Sequence, residues 1–323
     1  MKARAVTRIW TLATLIALAA LALPASAGDL GGQPGAFSRM GFGARGIGVG
    51  NAMVATMTGD VAGYYNPALL PFLERRFVSA TMGILSLDRR LNFLSASMPL
   101  PPSAGLSVGL INSGVSDIDG RDADGNPTGP LRTSENQAFL SFAIKFRPGF
   151  SLGLTLKLYY YQLYTDVSST TVGIDFGAAY PISEDIAIGL AVRDINSKYK
   201  WDTTPLYGQD GQSSEDRFPL LLILGGSYRL PDGIGTLSAE VERSNPGTTL
   251  LRGGLEVNLL PELALRAGLD RADLGESGNG VRPTFGFTLQ REFGTWVPAV
   301  NYGFVLEPFS PSGMHLVSLS ATF

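Results

Sequence analysis

The chain has no cysteine and one histidine in 323 residues. The first absence removes disulfides and thiolate metal centres, although an exported protein could have used the former. Charge is also scarce: Asp, Glu, Lys and Arg make up 16% of the residues. With 40 glycines, this composition suits sheet and tight turns better than a helical enzyme. Beyond residue 27 no run of about 18 uncharged apolar residues occurs, so membrane-crossing helices are excluded. Three of the 25 basic residues fall in the first eight positions, leaving 22 against 28 acidic ones and a net charge near −6. That balance offers nothing to nucleic acid.

What is present begins with a leader. Lys2, Arg4 and Arg8 precede an apolar run from Ile9 to Leu23, followed by Pro24 and Ala25-Ser26-Ala27. This is the order of a secretory signal peptide over residues 1–27, cleaved before Gly28. The apolar run is short for a membrane anchor.

From residue 77 onward, short segments alternate apolar and polar residues at period two, each bounded by Gly, Pro, Asn or Asp. Leu152, Leu154, Leu156, Leu158 and Tyr160 share one face, with Gly153, Thr155, Lys157 and Tyr159 on the other. Fourteen such segments begin near Phe77, Arg89, Ala104, Asn136, Ser151, Thr171, Asp185, Phe218, Gly235, Thr249, Leu263, Pro283, Trp296 and Met314. Most have the length of about 9 to 12 residues that a tilted strand needs to cross a bilayer.

Every second connection is tight and bears Pro or Gly, as at Arg147-Pro148-Gly149, Pro231-Asp232-Gly233 and Leu260-Pro261-Glu262. The interleaved set holds the long polar stretches Ser113 to Glu135, Asn196 to Arg217 and Arg271 to Arg282. Short periplasmic turns alternating with longer outer loops, and an even strand count, belong to an outer-membrane barrel. A soluble sandwich or propeller would also show short alternating strands, but has no reason for that alternation of loops. The expected fold is therefore all-β: a 14-stranded antiparallel transmembrane β-barrel over 76–323, in the outer membrane of a Gram-negative bacterium and in contact with its lipid. Phe323 ends a last strand that alternates Val317, Leu319 and Ala321 with Ser318, Ser320 and Thr322. Such an ending resembles the signal by which outer-membrane proteins are handed to the barrel-assembly machinery.

Fourteen strands enclose a lumen too wide for their own side chains to fill. Residues 28–75 precede the first strand and are expected to form an N-terminal plug in that lumen. They carry the run Gly41-Phe42-Gly43-Ala44-Arg45-Gly46-Ile47-Gly48-Val49-Gly50-Asn51-Ala52 and then Tyr64-Tyr65-Asn66-Pro67-Ala68. This pair resembles the N-terminal signature of the PorV/PorQ family, within the FadL-type outer-membrane transporter superfamily. The resemblance implies a plug role for Gly43, Arg45, Gly46, Gly48, Gly50, Asn66, Pro67 and Ala68, with no ligand contact attached. Asn51 stands where a further Gly is common, a minor departure. Leu69 follows Asn-Pro-Ala where Gly is frequent, which leaves the local plug geometry open.

Three enzymatic or metal motifs match in letters only. Gly41 to Gly46 fits a dinucleotide fingerprint but lacks the preceding buried strand. Gly105-Leu106-Ser107-Val108-Gly109 fits a nucleophile elbow, with His315 later in the chain. Yet Ser107 lies inside an alternating strand, and the two strands involved are not neighbours. Asp124, Asn126, Thr128, Gly129, Leu131 and Glu135 follow a calcium-loop pattern, against which stand Pro127, Pro130 and Arg132; a solvated turn-rich loop is the simpler account. No cofactor and no enzymatic activity are expected.

In the segments from Gly235, Thr249 and Leu263 the even-numbered residues face inward. If the neighbouring turns set the register, Arg252 lies between Glu240 and Asp270, and Glu256 faces Arg266. The balanced signs suit mutual neutralisation and anchoring of the plug better than an ion filter. The leading functional expectation is passive passage of hydrophobic or amphiphilic small molecules, such as long-chain fatty acids. The alternative is a PorV-like component of the type IX protein secretion system that binds secreted cargo. A continuous apolar path between plug and wall would favour passage, and a sealed polar interior the binding role.

Overall fold

The computed structural model describes residues 32–57, 61–147, 149–164, 166–273, 281–308, 310 and 312–323. The leader expected over 1–27, with its cleavage point before Gly28, lies outside the described residues, as does 274–280 of the expected loop Arg271 to Arg282. The strands are β1 (Phe77–Ile84), β2 (Arg89–Leu100), β3 (Ala104–Arg121), β4 (Pro127–Arg147), β5 (Phe150–Tyr164), β6 (Val167–Pro181), β7 (Ile186–Ile195), β8 (Lys198–Asp202), β9 (Ser213–Arg217), β10 (Leu221–Arg229), β11 (Gly235–Ser244), β12 (Thr249–Leu260), β13 (Leu263–Asp273), β14 (Val281–Gln290), β15 (Val297–Val305) and β16 (Met314–Thr322). Fourteen of them form one closed antiparallel barrel, and β8 and β9 make a separate two-stranded sheet.

Closure is made by β1 against β16, in register from Phe77 with Thr322 to Ile84 with His315. Just below, Arg76 and Phe323 exchange backbone hydrogen bonds, both 3.0 Å. The terminal ring stacks on Trp296 at a centroid distance of 5.3 Å. Both ends of the chain's barrel thus meet at the rim that carries the tight turns, which the short-turn rule makes periplasmic.

The alternation seen in sequence is what divides inside from outside. On β5 the side chains of Leu154, Leu156, Leu158 and Tyr160 are 42–52% exposed, while Ser151, Thr155, Lys157 and Tyr159 are buried. The other strands repeat this, so the outer surface is a belt of aliphatic and aromatic side chains and the inner one is mixed. A continuous apolar belt of this extent is unfavourable in water and suits lipid. No helix among the described residues is long and apolar enough to cross a membrane; the crossing elements are strands.

Of the expected loops, one is largely sheet and another contains a hairpin. Ser113 to Glu135 continues β3 and β4 as a paired hairpin up to a tight turn at 122–126. A register shift between Val115 and Ile118, with Asp117 at φ 59, hides the alternation from a simple count. Asp122 closes the turn by accepting from the Asp124 and Asn126 amides, 3.0 and 2.8 Å, and the Asn126 side chain and amide hold its carboxyl below the usual range. Asn196 to Arg217 contains the β8–β9 hairpin and a short helix at Thr204–Tyr207. Some strand starts shift accordingly: β4 starts at Pro127 rather than Asn136, β6 at Val167 rather than Thr171, and β10 at Leu221 rather than Phe218, whose ring turns into the lumen against Gly35.

Leu156→Arg is expected to destabilise the barrel by about 2–4 kcal/mol in denaturant titrations in lipid vesicles, since it sets a charge in the middle of the lipid-facing belt. Thr128→Arg, at the exposed hairpin tip, should change stability by less than about 0.5 kcal/mol.

Candidate functional site

The N-terminal segment occupies the lumen above a cavity at the periplasmic end. Residues 32–57 and 61–75 run inside the lumen as short turns: a 3-10 turn at Ala36–Arg39, a helix at Gly43–Gly48, one turn at Ala62–Tyr65 and a 3-10 stretch at Pro67–Phe72. None is long enough to be stable alone, so their shape is held by contacts with the wall.

Close approach of backbone to backbone sets the glycine pattern. Gly50 adopts φ +65 and presses against the backbone of Leu269, so a side chain there would meet both strain and overlap. Gly46 leaves room for the Tyr65 hydroxyl. Gly43, also at positive φ, opens the short helix, and the Gly48 carbonyl accepts from the Thr284 hydroxyl at 3.1 Å. The wall answers with glycines of its own, which the sequence reading had not singled out: Gly254 and Gly268 face Val49 and Gly50, and Gly153 and Gly177 face Pro67 and Ala68.

Asn66 ties the second motif down. Its Nδ2 donates to the Val54 carbonyl at 2.8 Å and to the wall carbonyl of Ala178 at 3.1 Å, while its Oδ1 accepts from the Ala68 amide at 3.0 Å. Pro67 occupies the first position of the 3-10 stretch, where no amide donor is needed. Leu69, the departure from the family pattern, is buried with Leu70 against Ala143 and Ala179 of the wall.

Asn51, read in sequence as a minor departure, proves to be a hub. It sits at φ 59, a region Asn tolerates. Its Oδ1 accepts from the Tyr65 hydroxyl at 2.5 Å and its Nδ2 donates to Asp270 at 2.6 Å, joining both plug motifs to the barrel. Glycine at this position could make neither bond.

Inward charges form three groups. Arg45 grips Glu256 through two bonds, 2.9 and 2.8 Å, and Arg266 shares the same carboxylate. Glu256 pairs directly with Arg266 and Glu240 with Arg252 in the strand register. Arg252 bonds Glu240 at 3.1 Å and Glu242 at 2.9 Å and lies 3.6 Å from Asp270; Arg282 then links Asp270 at 3.1 Å to Glu307 at 2.9 Å. Glu240 also accepts from the plug amide of Val54 at 3.1 Å. The third group went unnoticed in sequence: Lys157 lies 2.7 Å from Asp175 and 2.9 Å from Asp194, and Arg193 packs over the Tyr64 ring at 4.4 Å. Its signal was available, since Lys157 and Asp175 occupy inward positions of adjacent strands.

Towards the outer mouth the filling becomes aromatic. Phe37, Phe42 and Tyr64 of the plug pack with Phe93, Phe139 and Tyr159 of the wall, and Tyr199, Trp201 and Phe218 of the β8–β9 region close over them. At the periplasmic end a cavity of about 730 Å³ opens between plug and wall, bordered by Arg45, Glu256, Arg266, Phe72, Leu73 and Gln290. Its lining is mixed, and it does not reach the aromatic layer.

The residues of the elbow match stay apart. The Ser107 hydroxyl accepts from Ser97 at 2.8 Å on the inside, whereas His315 bonds the Tyr302 hydroxyl at 2.7 Å on the outward face of β16. In the loop that carries the calcium pattern, Asp122 is engaged by its own turn, through Asn126 of the pattern, and Asp119 by Arg121 at 2.7 Å. Among the described residues no cluster of three or more His, Cys, Asp or Glu is placed to hold a metal.

A closed antiparallel barrel with an apolar outer belt defines a barrel that crosses a membrane with its strands. No protein-family model matches the chain, and no curated protein matches it in sequence. Solved structures match it in fold. The Pseudomonas putida toluene transporter TodX is 14% identical with a TM-score of 0.61, covering 87% of this chain and 96% of its own. The monoaromatic hydrocarbon channel CymD is 15% identical with a TM-score of 0.63, covering 88% and 97%. A Pseudomonas aeruginosa FadL homologue is 13% identical with a TM-score of 0.59, covering 87% and 97%. The chain therefore has the fold of the FadL-type barrels, over nearly the full length of each.

Glu256→Ala would leave Arg45 and Arg266 facing each other with little solvent. A loss of about 3–5 kcal/mol is expected, together with faster protease cleavage within 32–75 in intact vesicles. Cleavage at the wild-type rate would show that this pair does not hold the plug.

Proposed function

We propose that the chain lets hydrophobic or amphiphilic small molecules cross the outer membrane of a Gram-negative bacterium passively, with residues 28–75 as a plug that must shift for passage. The observation that carries this reading is the fold match over nearly the whole chain to structures described as a toluene transporter and a monoaromatic hydrocarbon channel. The physical motive is that polar lipopolysaccharide blocks a lipid-soluble solute, which then needs a path through protein. The described lumen has no continuous apolar path, since ion pairs and aromatic rings fill its middle. Passage thus requires movement of plug or cap. Phe323 serves in this reading as the signal to the barrel-assembly machinery.

The alternative, a cargo-binding component of PorV type in type IX secretion, has the sealed interior and the N-terminal glycine signature on its side. The fold neighbours named as channels favour passage.

A disulfide lock tests the proposal cleanly because the chain has no cysteine of its own. The Ala44 amide donates to the Ser318 hydroxyl at 2.9 Å, so plug and wall lie side by side there, and Ala44→Cys with Ser318→Cys is the pair chosen for the lock, its closure checked by thiol titration. In vesicles, labelled toluene or fatty acid should enter faster with the protein than without it. The oxidised lock should remove most of that gain, and reductant should restore it. Equal entry with and without the protein refutes passage, and recovery of secretion components in a pull-down would then support the alternative.

A further inference from the structure

Beneath the outer mouth, five rings pack into one cluster: Tyr159, Tyr161, Tyr199, Trp201 and Phe218, with neighbouring centroids 4.8–5.4 Å apart. Polar atoms with no hydrogen-bond partner belong to these rings or to the residues paired with them between β4 and β5. They are both amide atoms of Gln137, the Tyr199 hydroxyl and one carboxylate oxygen of Glu135. Gln137 is 1% exposed and faces inward, paired in register with Tyr159; two residues earlier Glu135 pairs with Tyr161 and hydrogen-bonds it. A buried side-chain amide with neither its donor nor its acceptor used is rare, because burial removes water without replacing its bonds.

The cover of this cluster is the β8–β9 hairpin. The β8–β9 sheet forms no ladder with the barrel. Its backbone is tied to the wall through the Lys200 amide and the Ser169 hydroxyl at 2.8 Å. Trp201 meets its own hydrogen-bonding need within the hairpin, by donating to Asp216 at 2.7 Å. The hairpin can therefore withdraw Tyr199 as a unit without orphaning strand hydrogen bonds.

We infer that this cluster becomes, once the β8–β9 hairpin withdraws Tyr199, a loading site for a small aromatic ring bearing a hydroxyl group. The ring replaces that of Tyr199 against Tyr161 and Phe218, and the hydroxyl accepts from the Gln137 amide nitrogen while donating to the Glu135 carboxylate. This rests on the passage reading and narrows it. A plain aromatic hydrocarbon supplies the ring and leaves the polar atoms unmet, and a site built to bond a hydroxyl discriminates strongly against the analogue that lacks it.

Para-cresol and toluene differ by that hydroxyl alone. Calorimetric binding to the purified full chain in detergent should show cresol at least about tenfold tighter than toluene. Gln137→Leu should weaken cresol by about tenfold and leave toluene within about twofold. Folding of the variant is checked by heat-modifiable migration on a gel, and Gln137→Met, which is closer in shape, replaces it if the leucine variant fails. Equal affinities in the wild type, or a cresol preference that survives Gln137→Leu, would overturn the inference and mean that bound water alone meets these atoms. The disulfide lock separates the two readings. If cresol and toluene enter vesicles equally and the lock stops both, passage stands and the hydroxyl site falls. If neither binds nor enters, both fall.

Discussion

The charges in the middle of this barrel have neither bulk water nor lipid to turn to, and that constraint organises the rest of the structure. A ring of fourteen strands is too wide to close over its own side chains, and the inward set includes Lys157, Asp175, Arg193, Glu240, Arg252 and Arg266. Each needs a partner across the lumen or from a neighbouring strand. The N-terminal segment supplies some of them through Arg45, Asn51 and the Val54 amide, so the plug and the charged wall specify each other.

Layers follow from this. Ion pairs occupy the middle, aromatic rings the outer end, and an open mixed cavity the periplasmic end. The middle layer is expensive to separate, because a charge withdrawn from its partner there stays desolvated. The outer layer is cheaper, since its cover is a hairpin outside the barrel ladder. A solute arriving from outside would thus meet the most yielding layer first, and the plug contacts that resist motion lie behind it.

Much of the fold was legible from residue pattern. Period-two alternation located the fourteen strands because one face meets lipid and the other the lumen, and Pro- or Gly-bearing turns marked one rim. The pattern failed where that contrast disappears. Beyond the membrane, β3 and β4 carry polar residues on both faces and a register shift near Asp117, so a paired hairpin looked like a loop. Within the lumen, the importance of Asn51 was hidden because its two partners, Tyr65 and Asp270, lie 14 and 219 residues away. Orphaned atoms such as those of Gln137 leave no trace in a sequence, since being unpartnered is a property of the surroundings.

The sequence by itself determined an alternating, turn-punctuated chain whose strands could close into a barrel, and a glycine-rich segment able to pack close to other backbone. Those are local properties, set by side-chain polarity and by which residues accept a given φ. Only the tertiary structure decided which charges meet, which side chains bridge plug to wall, and that aromatic rings close the outer mouth. These depend on contacts between residues up to 274 positions apart, as between Ala44 and Ser318, and their energies exist only once the closed ring has excluded water from between them.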